Sequence, residues 1–184
     1  RLSIPENKCC VLPLGINLNE IKKIDLEDSR NKLRLKYQIS DQDFVFLSVA
    51  AINHQKNIIG LIKAFRLILI DCPNAKLILL GPAYEKMIVD EVEKYVRQNN
   101  LQKNVIYAGS SSSAFSYYPM ADAFVCSSFF EGGPLVFLEA LAFNLPIITT
   151  DVGYAKQFNN CDGIIKISPP IDIFKFYGQI WQLR

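Results

Sequence analysis

An alternation of short apolar runs with stretches of helical periodicity constrains this chain more than any other feature. Residues 43–50 (DFVFLSVA), 75–80, 104–108, 121–126 and 146–150 are β-rich and apolar. Residues 57–70 repeat Ile58, Leu61, Ile62, Phe65 and Leu69 at helical spacing, and residues 84–99 are charged and amphipathic. A short helix is expected near 115–118 and another over 134–143. Residues 26–37 read as a charged helix, 8–12 and 163–167 as short strands, and 171–182 as a last helical segment. Alternation of this kind predicts βα units and a parallel sheet. The runs are apolar on both faces, which requires helices on both sides. The expected fold is α/β, and 184 residues suit one such domain spanning 1–184. Open parallel sheets bind ligands beyond the carboxyl ends of their strands. Loops 53–57, 81–84, 109–113 and 127–133 are therefore expected along one edge.

Composition narrows the partners. Half of the residues are apolar and the net charge is +2, so there is no polybasic footprint and no nucleic-acid partner is expected. The lysines and arginines are scattered, which weakens the case for a membrane-surface patch. No apolar stretch reaches membrane-spanning length, and no signal peptide is evident. The five cysteines (Cys9, Cys10, Cys72, Cys126, Cys161) lack C-x-x-C spacing, against a disulfide framework or a zinc site. Cys72 and Cys126 lie in or beside apolar runs and read as small hydrophobes, consistent with reduced thiols in a cytoplasmic protein. The chain opens at Arg1, and Ile4-Pro5-Glu6-Asn7 reads as the interior of a longer protein, so an upstream part is expected.

The most informative segment is 131–143 (EGGPLVFLEALAF). Pro134 in the first turn and Asn144 beyond the last residue bound the helix. From Leu135 onward every residue is apolar except Glu139. A helix apolar all round is expected to be buried, and a buried carboxylate needs partners. Glu139 therefore reads as a functional residue, not as part of a solvated stripe. Gly132 and Gly133 allow close backbone approach, and the free N–H groups after Pro134 form an anion site reinforced by the helix dipole. Phosphate oxygens fit the amides of Leu135 and Val136, while Glu139 accepts hydrogen bonds from hydroxyls. Lys56 sits just before a helix, where the dipole disfavours a cation; it makes better sense reaching across the mouth toward an anion. Asn53 and His54, the sole histidine, share that loop, and His54 reads as a solvated loop residue within reach of the mouth. Phe129-Phe130 either wall the pocket or pack beneath the loop. Ser110 to Ser113 with Tyr117 and Tyr118 lack a G-x-S-x-G or a matching His-Asp arrangement and read as a polar loop.

Glu131 and Glu139, separated by seven residues that begin Gly-Gly-Pro-Leu, resemble the E-x7-E motif of retaining GT-B glycosyltransferases of group 1 (family 4). Pro13-Leu14-Gly15-Ile16-Asn17 resembles that family's entry turn, and Ser48-Val49-Ala50-Ala51 with Lys56-Asn57 resembles its strand-loop. Residues 77–81, 105–109, 121–122 and 146–153 follow in the family order, so the resemblance covers about 8–158. It implies a Rossmann-like domain with a parallel sheet, one half of a GT-B fold, that binds a nucleoside-diphosphate sugar of UDP or GDP type. By that resemblance Glu139 holds the ribose hydroxyls and Glu131, the catalytic candidate, contacts the donor sugar. Lys56 and the amides of Leu135 and Val136 hold the diphosphate, Gly132, Gly133 and Pro134 shape the loop, and Gly109 and Ser110 lie near the base.

The implied reaction is sugar transfer with retention, using no cofactor and no bound metal. A glycan or lipid-linked acceptor would come through an absent N-terminal domain, and the full-length protein would be cytoplasmic or peripheral at the inner membrane face. The chain alone is then expected to bind donor weakly and to be nearly inactive. Ala50-Ala51 depart from the family's usual Gly-Arg, which removes one diphosphate cation. Two alternatives stand: a non-catalytic nucleotide-binding or assembly module, suggested by Ala51, and a GT-B-type sugar-nucleotide epimerase.

Overall fold

The computed structural model describes residues 8, 14–158 and 162–167. They contain strands β1 (Val45–Val49), β2 (Lys76–Leu80), β3 (Val105–Gly109), β4 (Ala123–Cys126), β5 (Ile147–Thr150) and β6 (Ile164–Ile167). All neighbours pair in parallel, in the order β3-β2-β1-β4-β5-β6. The helices are α1 (Leu18–Ile21), α2 (Leu26–Lys36), α3 (Ile58–Asp71), α4 (Lys86–Gln98) and α5 (Leu135–Ala142), with 3-10 turns at Ala114–Met120 and Gly153–Gln157. The sequence reading places every described element but α1 and the second 3-10 turn, each within two residues of its observed bounds. The helix expected near 115–118 is the first 3-10 turn, which contains Pro119. The segment 171–182, and 8–12 apart from Lys8, lie outside the described residues.

Alternation along the strands creates two cores. Phe46, Leu77, Leu79, Ala123, Val125 and Ile148 point to one face and pack with Leu61, Ile62, Phe65 and Val92 of α3 and α4. Val45, Leu47, Ile78, Leu80, Phe124 and Ile147 point to the other and pack with Phe137 and Ala140 of α5 and with Tyr117 and Tyr118. A strand whose successive residues are all buried needs this two-sided cover. Cys72 and Cys126 are buried within these layers.

Three helices end in the same way. In α2, α4 and α5 the residue past the cap is Gln38, Asn100 or Asn144, each at φ between 54° and 55°. The next amide reaches back over the last turn, as in Leu145 N–H to the Ala140 carbonyl at 3.1 Å. This satisfies carbonyls that a helix end leaves orphaned. The Arg34 guanidinium, 3% exposed, locks α2 to the sheet. It donates to Asp122 Oδ2 at 2.8 Å and to the carbonyls of Ser40 and Met120, while Asp122 also accepts from the Val45 amide.

One expectation is corrected. Helix α5 is not buried all round: Phe137 and Ala140 are buried, but Leu135, Val136, Leu138 and Leu141 are half-exposed. The helix lays one face on the sheet, so its apolar composition overstates its burial.

Candidate functional site

After β1 the chain builds outward through β2 and β3, and from β4 it builds the other way through β5 and β6. The loops leaving β1 and β4 therefore diverge from adjacent strand ends and open a crevice between them. Hydrogen bonds tie these loops together. The Phe129 amide donates to the Gln55 carbonyl at 2.9 Å, and the Gln55 side chain donates to the Phe130 carbonyl at 2.9 Å. Ser127 Oγ donates to the Lys56 carbonyl at 2.6 Å, and Thr150 Oγ1 donates to the Ser128 carbonyl at 2.6 Å. Asn53 Oδ1 accepts from the Lys56 amide at 3.0 Å and so shapes the turn that presents this lysine.

Lys56 and Glu131 meet across the crevice, with Nζ 2.5 Å from Oε1 and side chains 21% and 9% exposed. Ser128 Oγ, buried, donates to the same carboxylate oxygen at 2.7 Å. An exposed ion pair is worth about 0–1 kcal/mol, whereas breaking a buried one costs about 3–5 kcal/mol. This pair, largely screened from water, lies between the two. The anion that Lys56 meets in the structure is Glu131. An ammonium carries three donors, so pairing with one carboxylate leaves capacity for further oxygens. Lys56, Ser127, Ser128, Glu131 and Val136 line one cleft with the ends of β1 and β4.

Helix α5 begins at Leu135 with Pro134 in the capping position and no side chain capping its amides. Its first N–H groups thus form a positive helix end beside Lys56 and Glu131. Gly153, after β5, packs against this loop: a Cβ there would lie 2.6 Å from Pro134 Cδ. Further along, half-buried Glu139 accepts a hydrogen bond from the Tyr118 hydroxyl, at 2.5 Å from Oε2. Burial first, then the charge and hydrogen bond of Glu139, push the Tyr118 phenol far above its ordinary value.

The remaining candidates are more dispersed. Gly109 ends β3, two strands from β1, with φ +73°, and its carbonyl accepts from the Gly81 amide; Ser110 beside it is exposed. Neither lines the Lys56 cleft. His54 is exposed, its amide donates to Glu85 Oε2 at 3.3 Å, and its ring lies 5.3 Å from Phe129. Phe129 is half-buried under that ring, whereas Phe130 is 60% exposed. Gly132 is exposed and Gly133 half-buried. Sequence reasoning missed Ser128 and read Tyr118 as part of a polar loop, whereas Tyr118 is fully buried. Ser128 stands three residues before Glu131, a spacing that favours a local hydrogen bond, but nothing local announces Tyr118.

A parallel sheet in this order, with a charged crevice at its switch point, defines a Rossmann-like α/β domain. The chain belongs to the group 1 glycosyl transferases, whose family model matches residues 29–164. An uncharacterised glycosyltransferase of Methanocaldococcus jannaschii is 33% identical over 175 residues, 95% of this chain and 41% of that protein. WaaG, a glycosyltransferase involved in lipopolysaccharide biosynthesis, matches with a TM-score of 0.83 at 22% identity, covering 98% of this chain and 48% of WaaG. HepE of Anabaena, solved in complex with UDP and glucose, matches with a TM-score of 0.80 at 21% identity, covering 91% of this chain and 45% of HepE. The chain spans less than half the length of these relatives, and its fold is that of one half of a GT-B glycosyltransferase. Among the described residues no helix is long and apolar enough to cross a membrane.

Proposed function

We propose that residues 1–184 form the donor-binding domain of a retaining glycosyltransferase and that the crevice between β1 and β4 takes a nucleoside-diphosphate sugar. The observation that carries this is the convergence of Lys56, Glu131 and the uncapped start of α5 at the switch point. A diphosphate needs positive potential, which Lys56 and the amides of Leu135 and Val136 supply. A helix N-terminus contributes about 0.3–1 kcal/mol to an anion, and up to about 2 kcal/mol when partly buried. Such groups are most useful where negative charge grows during reaction, on the departing diphosphate.

Glu131 is held by Lys56 and Ser128 through Oε1, and its other oxygen is assigned to the donor sugar. Glu139 is assigned to the ribose hydroxyls, and Gly109 and Ser110 to the neighbourhood of the base. HepE supports a uridine donor by analogy, and GDP remains equally compatible with the residues present. WaaG's part in lipopolysaccharide biosynthesis supports a glycan or lipid-linked acceptor, received through a second domain. The full-length enzyme is then expected in the cytoplasm or against the inner membrane face.

Ala51 favours a second reading, a nucleotide-binding module without transfer activity, because it supplies no second cation. Calorimetric titration of the chain with UDP and GDP, beside Lys56→Ala and Glu139→Ala, tests the donor site. Binding of one nucleotide, weakened at least about tenfold in both variants, is the expected result. Undiminished binding in both variants would sink it.

A further inference from the structure

Tyr118 lies in the 3-10 turn before β4 and is fully buried. Its ring stacks on Phe143, with centroids 5.0 Å apart and planes 1° from parallel, and on Phe124 at 6.0 Å and 28°. Phenylalanine would satisfy that aromatic sandwich. A buried hydroxyl is costly unless it is bonded, and this one donates to Glu139 Oε2 at 2.5 Å. Glu139 stands on a half-exposed part of α5, where a free carboxylate would spread over several rotamers.

We propose that Tyr118 is a positioning residue that grips Glu139 by Oε2, selects one carboxylate rotamer, and leaves Oε1 to accept from the hydroxyls of a nucleotide ribose. This rests on the assignment of Glu139 to the ribose made above. No other described side chain bonds to Glu139. The phenol, raised far above its ordinary value by burial and by the charge of Glu139, stays protonated and donates throughout the physiological range. One oxygen is thus permanently occupied, and the motif gains its selectivity for hydroxyls from a residue outside it.

The test compares the affinity of UDP or GDP, whichever binds, with that of its 2′,3′-dideoxy analogue. The wild-type chain should favour the ribose form at least about tenfold, the worth of a hydrogen bond to a charged group. Tyr118→Phe retains the ring between Phe124 and Phe143, so it should fold. It should shrink that preference about three- to tenfold, because the carboxylate redistributes among about three staggered wells and only a fraction remains competent. Affinity for the dideoxy analogue should change less than about twofold, since that ligand never uses Glu139. Phe143→Leu, which loosens the stack but keeps the hydroxyl, should melt earlier and retain the preference.

Equal loss for both nucleotides in Tyr118→Phe would mark a packing role and overturn the proposal. A preference lost in Glu139→Ala but intact in Tyr118→Phe would overturn it too, while leaving the donor site standing. No preference in the wild-type chain would remove the ribose assignment itself, and the proposal with it.

Discussion

Gly153→Ala would push directly on the loop that carries Glu131. Gly153 has φ +52°, and a Cβ at this position would lie 2.6 Å from Pro134 Cδ, 3.2 Å from Glu131 Cβ and 3.4 Å from the Gly133 nitrogen. Carbon atoms rest about 3.5–4.0 Å apart, so the Pro134 ring and the turn must separate by about 1 Å. The proline ring has no rotamer by which to step aside. Holding alanine in the left-handed region costs about 1–2 kcal/mol, and the overpacking costs about 1–3 kcal/mol more. Loss of glycine's freedom in the unfolded chain offsets about 0.4–1 kcal/mol, for a net of about 2–4 kcal/mol. At about 2–4 °C per kcal/mol for a chain of this size, the melting temperature should fall by about 5–15 °C. Circular-dichroism melting reads that shift. Nucleotide titration well below the transition should show weaker binding as well, because the displaced loop includes Glu131 and Pro134. A melting temperature within about 2 °C of wild type, with unchanged affinity, would refute the steric reasoning.

Asp122→Ala should destabilise the fold by about 2–4 kcal/mol, read by urea titration, because it strands the buried Arg34 guanidinium and the Val45 amide; the partial exposure of Asp122 keeps the figure below a fully buried pair. Ala51→Arg should strengthen diphosphate binding about tenfold if the β1 loop presents position 51 to the crevice, and calorimetry without any gain would exclude that geometry. At alkaline pH, native Tyr118 and Tyr117 hold their protons after the unfolded phenols, near 10, have lost theirs; burial puts Tyr117 at about 12. The native state then binds more protons than the unfolded one, so stability present below about pH 10 falls as pH rises above it. Denaturation followed at pH 8, 10 and 11 should show this fall, shallower in Tyr118→Phe; equal slopes would contradict it.

The framework was legible where the physics is local. Stretches such as 44–47 and 77–80 are apolar at every position, which only a sheet covered on both faces can bury, and they pair in register within β1 and β2. Asn144 marked the end of α5 because asparagine tolerates the left-handed backbone observed there, φ 54°. Long-range partners were not legible. Arg34 and Asp122 are 88 residues apart, and Tyr118 and Glu139 are 21 apart on separate elements. Such pairs depend on where the sheet order brings their elements. Glu139 was singled out for lacking a polar face on its helix. The structure gives α5 a half-exposed side and gives Glu139 a buried phenol, so the residue stands out for a different physical reason. Helix α1 escaped notice because four residues carry too little periodicity, although its capping residue, Asn17, accepts from the Asn19 amide.

The measurement closest to the central claim is amide NMR of the isotope-labelled chain during titration with UDP and with GDP. The account predicts that one nucleotide shifts the amides of Lys56, Gly132, Gly133, Leu135 and Val136 together, with smaller shifts at Gly109 and Ser110. Shifts confined to the opposite edge of the sheet, around Lys76 and Lys103, or no shifts at millimolar nucleotide with a well-dispersed spectrum, would contradict a donor site between β1 and β4.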